Sequence, residues 1–163
     1  LSRNSEPLTL AELLASHAGA GRVEWIGLRP ERRGPMLAVE RAELTRRGFK
    51  GDHHPRANGR AVTLIQAEHL PVIAALSHRA SVTPDLLRRN VLVSGINLIA
   101  LKGVPLRLGD AVIEIGQVCA PCSRMEAALG RGGHSAMRGH GGWTAAVLQE
   151  GPVALGDVVE PLV

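Results

Sequence analysis

The 163-residue chain predicts a single mainly-β domain, a barrel with a few short peripheral helices. Three observations predict it. The apolar runs are short and bounded by Gly, Pro and Asp, which suits strands better than helices. A Leu-Gly-Asp turn occurs twice, at Leu108-Gly-Asp110 and Leu155-Gly-Asp157, each time entering an apolar run, as in hairpins rather than βαβ crossovers. No linker, repeat or low-complexity tract divides residues 1–163.

The elements follow in order. Thr9-Leu-Ala-Glu12 is a capping box that opens a short amphipathic helix, ended by Gly19 and Gly21. Val23–Leu28 alternates as a strand, Arg29–Pro35 is a loop, and Met36–Leu44 is expected as a second strand. Thr45 to Arg60 is long and polar, the length at which a loop is usually functional. Ala61–Gln66 is a strongly apolar strand, followed by a helix through Ala75. Thr83-Pro-Asp85 sets an N-cap before a proline at the first helical position. That helix ends near Arg88-Arg-Asn90, before the strand Val91–Val93. Ala111–Val118 and Trp143–Leu148 are further strands, and Val158–Glu160 is the last.

Composition narrows the function. Apolar residues make up 45% and no run reaches membrane-spanning length, so a soluble globular protein is expected, with no membrane partner. Glu6 and Glu12 interrupt what a signal peptide would need as an apolar stretch. Two cysteines three apart are a poor staple, which points to a reducing, cytoplasmic compartment. The net charge is +4, carried almost wholly by Arg, since the lysines are Lys50 and Lys102. Guanidinium forks suit phosphate and carboxylate. With no Tyr, one Phe and two Trp, the chain lacks platforms for stacking bases, so a small anionic cofactor is expected rather than nucleic acid.

The chemistry centres on Cys119-Ala-Pro-Cys122, between a strand end and a helix signature. A thiol ahead of a helix start is favoured as thiolate, the form that binds soft metals and carries sulfur. Ser123-Arg-Met-Glu126 reads as a capping box, and Arg124 adds positive charge beside Cys122. The same four residues fit a thioredoxin-type redox pair, though that needs a βαβ setting. Zinc would need two more ligands, for which His134 and His140 are available at no standard spacing. In Gly51-Asp-His-His54, one of Asp52, His53 or His54 is a candidate to line a cleft. Arg88-Arg-Asn90 offers guanidinium and amide groups to a phosphate or a heterocycle edge. Gly130–Gly142 holds six glycines in thirteen residues, the pattern of a mobile connection or a lid, but no Gly-Lys-Ser/Thr.

Taken in order, several of these segments resemble the MOSC domain family (molybdenum cofactor sulfurase C-terminal domain), in its small stand-alone bacterial form. They are Gly51-Asp-His-His54, Arg60–Ile65, Gln66-Ala-Glu-His69, Arg88–Gly95, Leu108-Gly-Asp110, Pro121-Cys122, Gly141-Gly-Trp143 and Val153–Asp157. The resemblance covers about 23–160 and implies a β-barrel with peripheral helices. It also implies a molybdenum cofactor, with Cys122 as molybdenum ligand and a possible two-electron reduction of N-hydroxylated compounds. Arg88 and Asn90 match a pterin-contacting Arg-x-Asn segment; Arg124, His54 and Arg60 join them as candidate cofactor-binding residues. The resemblance implies two alternatives: a sulfur carrier holding a Cys122 persulfide received from a cysteine desulfurase, with Cys119 releasing it, or a non-catalytic anion-binding module. Pyridoxal phosphate, associated with the family through fused desulfurases, is expected on a partner. Electrons for a reductase would come from a separate donor protein.

Overall fold

In the computed structural model of the protein, residues 6–53 and 58–162 are described. The strands are β1 Gly21–Leu28, β2 Leu37–Val39, β3 Arg41–Thr45, β4 Gly48–Phe49, β5 Val62–Gln66 and β6 Val91–Ser94. They continue as β7 Pro105–Leu108, β8 Ala111–Val118, β9 Trp143–Gln149, β10 Gly151–Ala154 and β11 Val158–Pro161. The helices are α1 Leu10–Ala15, α2 His69–Leu76, α3 Pro84–Leu87, α4 Ser123–Leu129 and α5 Gly133–Met137.

Seven strands form a closed barrel in the order β11-β7-β8-β9-β5-β6-β1, sealed where Gly21 and Arg22 of β1 meet β11. Further along, Ile26–Leu28 of β1 pair with β2. The first Leu-Gly-Asp turn forms the β7–β8 hairpin as expected, but the second is no hairpin: it joins β10 to β11, which lie in different sheets and pair with β3 and with β7 and β1. β8 alternates strictly, with Ala111, Ile113 and Ile115 facing the barrel core, as a half-buried strand must. β5 is buried throughout because both of its faces are covered. Val62 and Leu64 enter the barrel core, while Ile65 joins a second apolar cluster with Ile73, Leu87, Met125, Leu129 and Met137 under the helices.

The structure departs from the sequence reading at four further places. β5 and β6 are parallel, so the segment carrying α2 and α3 is a crossover; the barrel is mixed rather than all hairpins. The expected strand over 36–44 is two strands in different sheets: β2 lies on β1, whereas β3 pairs with β10 and β4. The break falls at Glu40, whose carbonyl instead accepts from the Leu155 amide at 2.9 Å. At α4 the N-cap is Cys122 rather than Ser123, and no side chain caps it. Glu126 is thereby one position too deep for a capping box and accepts from the amides of Gly132 (2.7 Å) and His134 (2.9 Å). Those bonds help explain why the glycine-rich stretch is not an open lid. It folds into α5, where Gly133 sits directly on Leu129 and the Met125 carbonyl, and Gly142, at φ +89°, passes against the backbone of Leu64.

At the N-terminal end the capping box forms as read, with Thr9 and Glu12 bonding reciprocally. Among the described residues no helix is long and apolar enough to cross a membrane.

Candidate functional site

Strand register builds the floor of the site. Val91 pairs with Ile26 on one side and Leu64 on the other, and Thr63 pairs with Thr144. Gly27, Asn90, Thr63 and Thr144 therefore stand in one row across four neighbouring strands. Asn90 is fully buried and knits that row together. Its Oδ1 accepts from Thr63 N (3.2 Å), Thr63 Oγ1 (3.1 Å) and Arg29 Nη2 (3.2 Å). Its Nδ2 donates to Gly27 O (3.0 Å) and Asp52 Oδ2 (3.1 Å). Both amide hydrogens are thus used, and the side chain has no donor left for a ligand.

Arg29 leaves β1 at this row. The Asp52 carboxylate, 2% exposed, takes the Arg29 backbone amide at 2.6 Å and its Nη2 at 3.0 Å. The Arg29 carbonyl accepts from both the amide and Nδ1 of His53, each at 2.8 Å. Since a carbonyl only accepts, His53 carries its proton on Nδ1. The guanidinium of Arg29 is held on one side, and its Nε is buried with no partner.

Three consecutive residues diverge at the start of β6. Arg88 ends α3 in the left-handed conformation at φ +57°, rare for a residue with a side chain. That kink sends the Arg88 guanidinium to the carbonyl of Gly34, at 2.6 Å, in the loop after β1. Its Nη2 is buried and unpartnered. Arg89 turns the other way, donating to the carbonyls of Gly141 (2.7 Å), Leu87 (2.9 Å) and Cys119 (3.3 Å). Asn90 points into the floor.

The cleft above has a volume of about 410 Å³ and is lined by Arg29, Arg60, Thr63, Val118, Cys119, Ala120, Cys122 and Thr144. Cys119 is half-buried and Cys122 exposed, both as free thiols. Positive charge accumulates here. Burial pushes the Arg88 guanidinium below its ordinary range, the charges of Arg124 and Arg29 push it further, and Asp52 opposes them. Burial likewise lowers Arg89, against the pull of the Cys119 and Cys122 thiols. Four guanidiniums thus sense one another or the thiols, with one carboxylate among them.

The sequence-predicted residues are distributed unevenly. Cys122, Cys119 and Arg60 line the cleft. Arg88 and Arg124 are electrostatically coupled to Arg29 or to each other. Asn90 lies beneath the cleft, and His54 lies outside the described residues. His134 and His140 do not complete a zinc site: among the described residues no three His, Cys, Asp or Glu side chains converge. The thioredoxin reading fails on topology, because β8 is antiparallel to both neighbours. Arg29, Thr63, Thr144 and the separate part played by Arg89 were missed. The signal for Arg29 was its place immediately after a strand, paired with Asp52 in the long polar loop.

The barrel and the Cys122 cleft can be set beside known proteins. The MOSC domain family model matches residues 50–160, more than half of the chain. The chain belongs to the MOSC domain family. Among solved structures, the YuaD protein from Bacillus subtilis is similar at a TM-score of 0.78 and 19% identity, over 88% of this chain and 96% of that one. YiiM from Escherichia coli is similar at 0.69 and 22%, covering 87% and 70%. YiiM from Geobacillus stearothermophilus is similar at 0.70 and 17%, covering 88% and 75%. At these identities the likeness is one of fold. No curated protein matches the chain. In this MOSC domain, then, Cys119, Cys122, Arg29 and Arg60 line one cleft, and Asp52 and Asn90 hold Arg29 from beneath.

Proposed function

We propose that this MOSC protein binds molybdenum cofactor in the cleft, with Cys122 as the molybdenum ligand, and supports two-electron reduction of N-hydroxylated compounds in the cytoplasm. The observation that carries the reading is an exposed thiol in a cleft lined by the guanidiniums of Arg29 and Arg60, of which Arg29 keeps a buried nitrogen without a partner, as does Arg88, which feels its charge. Those nitrogens, Arg29 Nε and Arg88 Nη2, are donors suited to an anionic group, and an exposed thiolate is a soft donor suited to molybdenum. The residues present therefore fit the cofactor.

When bound, the group supplies the two-electron redox chemistry. The chain supplies the rest. Arg88 and Arg29 donate to the phosphate and other anionic groups, while Arg124 and Arg60 add charge from the exposed rim. Asn90 and Asp52 act through Arg29, fixing its guanidinium. Thr63 and Thr144 shape the wall, their hydroxyl hydrogens already given to Asn90 Oδ1 and the Gln117 carbonyl. His54 stays a candidate contact from the polar loop, and a separate donor protein delivers electrons.

A second reading is favoured by one observation, that Cys119 shares the cleft with Cys122. In it Cys122 carries a persulfide from a pyridoxal-phosphate-dependent desulfurase, and the Cys119 thiolate attacks its inner sulfur, breaking the S–S bond, forming a Cys119–Cys122 disulfide and releasing hydrosulfide. Metal analysis and intact mass on protein from a cofactor-competent host separate the two. Stoichiometric molybdenum that is lost in Cys122→Ser supports cofactor binding. One added sulfur on Cys122, removed by reductant and without molybdenum, supports sulfur transfer. Neither, after incubation with both cofactor and desulfurase, refutes both.

A further inference from the structure

We infer that Arg89 is the specificity-determining residue of the cleft: a locked, buried cation that makes Cys122 select anionic over neutral partners. The inference rests on the proposed function only in placing an anion beside Cys122.

Arg89 stands behind the cleft wall, on the Cys119 carbonyl, and differs from the arginines at its mouth. It is 7% exposed, whereas Arg60 and Arg124 lie in solvent. Its three nitrogens hold three carbonyls on three segments: the end of α3, the glycine stretch before β9, and the turn after β8. So tied, the guanidinium cannot swing out to water. Carbonyl dipoles compensate a buried cation only in part, and the customary remedy is a carboxylate. Among the described residues the ion pairs are Arg29–Asp52 and Arg107–Glu160, so Arg89 has none. A negative charge can approach Arg89 from the cleft side. The Cys119 carbonyl holds Arg89 at the cleft wall, both thiols are close enough to interact with its charge, and Cys122 opens to solvent. An anion arriving at Cys122 neutralises a charge the fold has left uncompensated; a neutral molecule does not. Because Arg89 is buried, salt screens its field much less than that of the rim arginines.

The test is the ratio of alkylation rates at Cys122 for iodoacetate, an anion, and iodoacetamide, its neutral analogue, followed by peptide mass at one pH. The same thiolate displaces iodide from both reagents, so the ratio cancels thiol ionisation and reads the field. The reference is the neutral thiol N-acetylcysteine amide. Wild type is expected to exceed the reference by about fivefold. Most of that excess should persist at about 1 M salt, where the Debye length is about 3 Å. Arg89→Met should remove most of the excess over the reference and Arg89→Lys should keep most of it. A folded Arg89→Met protein with the wild-type ratio overturns the inference, as does a wild-type ratio that falls to the reference at high salt. If Arg89→Met does not fold, the Arg60→Met/Arg124→Met double variant decides. A retained ratio supports Arg89, and collapse to the reference overturns it. No metal enters this measurement. A preparation that binds molybdenum but shows no anion preference would keep the proposed function and lose this inference; the reverse result would do the opposite.

Discussion

The two Leu-Gly-Asp turns and the Cys119–Cys122 turn all join elements of one barrel, yet they treat polar groups in opposite ways. At the Leu-Gly-Asp turns the amides find partners inside the protein. Gly109 N reaches Val158 O at 3.2 Å, Asp110 N reaches Pro152 O at 3.1 Å, and Gly156 N reaches Val23 O at 2.8 Å. Asp157 Oδ2 closes its own turn by accepting from Ala154 N at 2.8 Å. Around the cysteine turn, among the described residues, Arg29 Nε and Arg88 Nη2 are buried without partners and Arg89 has no acid paired with it. A saturated turn has nothing left to offer a ligand. An unsaturated one costs stability and offers donors, which is the expected trade at a binding site.

The contrast is broken most directly by exchanging its anchors. Asn90→Ala removes five side-chain bonds and leaves Thr63 N, Arg29 Nη2 and Gly27 O without that partner. The expected loss is about 3 kcal/mol or more by denaturant unfolding. Asp157→Ala removes one turn bond and should cost about 1 kcal/mol. Equal costs would mean that the site floor is no more cooperative than an ordinary turn.

The glycine stretch gives the next largest effect and corrects the idea of a lid. Gly142 and Gly139 both have positive φ, +89° and +85°. A Cβ at Gly142 would run into the Leu64 carbonyl, whereas one at Gly139 meets nothing within 4 Å. Gly142→Ala is therefore expected to cost about 3 kcal/mol. Gly139→Ala should cost about 1 kcal/mol, from backbone conformation alone. If Gly142→Ala were as mild as Gly139→Ala in thermal melts, the segment would be a pliable connection after all.

What was legible in the sequence follows the range of the interaction. The Thr9–Glu12 capping box, the β7–β8 hairpin turn and the strand character of β8 depend on neighbours a few residues away, and they formed as read, whereas the partners of β10 and β11 depend on distant segments. The parallel β5–β6 pair, the break at Glu40 and the escape of Glu126 to the Gly132 and His134 amides depend on distant partners. The site divides in the same way. Cys122 announces itself by residue type and by its place between a strand and a helix. The distinct roles of Arg88, Arg89 and Asn90 do not, because a left-handed kink at Arg88 sends adjacent side chains to three different segments. Arg29 and Asp52 are twenty-three positions apart, and only the fold pairs them.

The smallest expected effect lies at the edge of the glycine stretch, where His140 meets His69 of α2 edge-to-face with ring centroids 5.6 Å apart. Burial first, and then the charge of His140, hold the His69 imidazole below its ordinary range, while Glu68 opposes them. The sign follows. With a lowered folded value, the unfolded chain takes up its proton first as pH falls through about 6.5. The unfolded state then binds more protons, so stability contributed by neutral His69 is complete above that pH and declines as pH falls toward the folded value. His69 is only half-buried, so the change in Tm should not exceed about 2 °C. His69→Gln should flatten the decline in Tm between pH 7 and 5, and His140→Gln should flatten it partially by removing the repulsion alone. An unchanged slope in His69→Gln would show that the acid sensitivity of this edge arises elsewhere. In that case the pair is a packing contact, and its charge has no part in holding α2 to the glycine stretch.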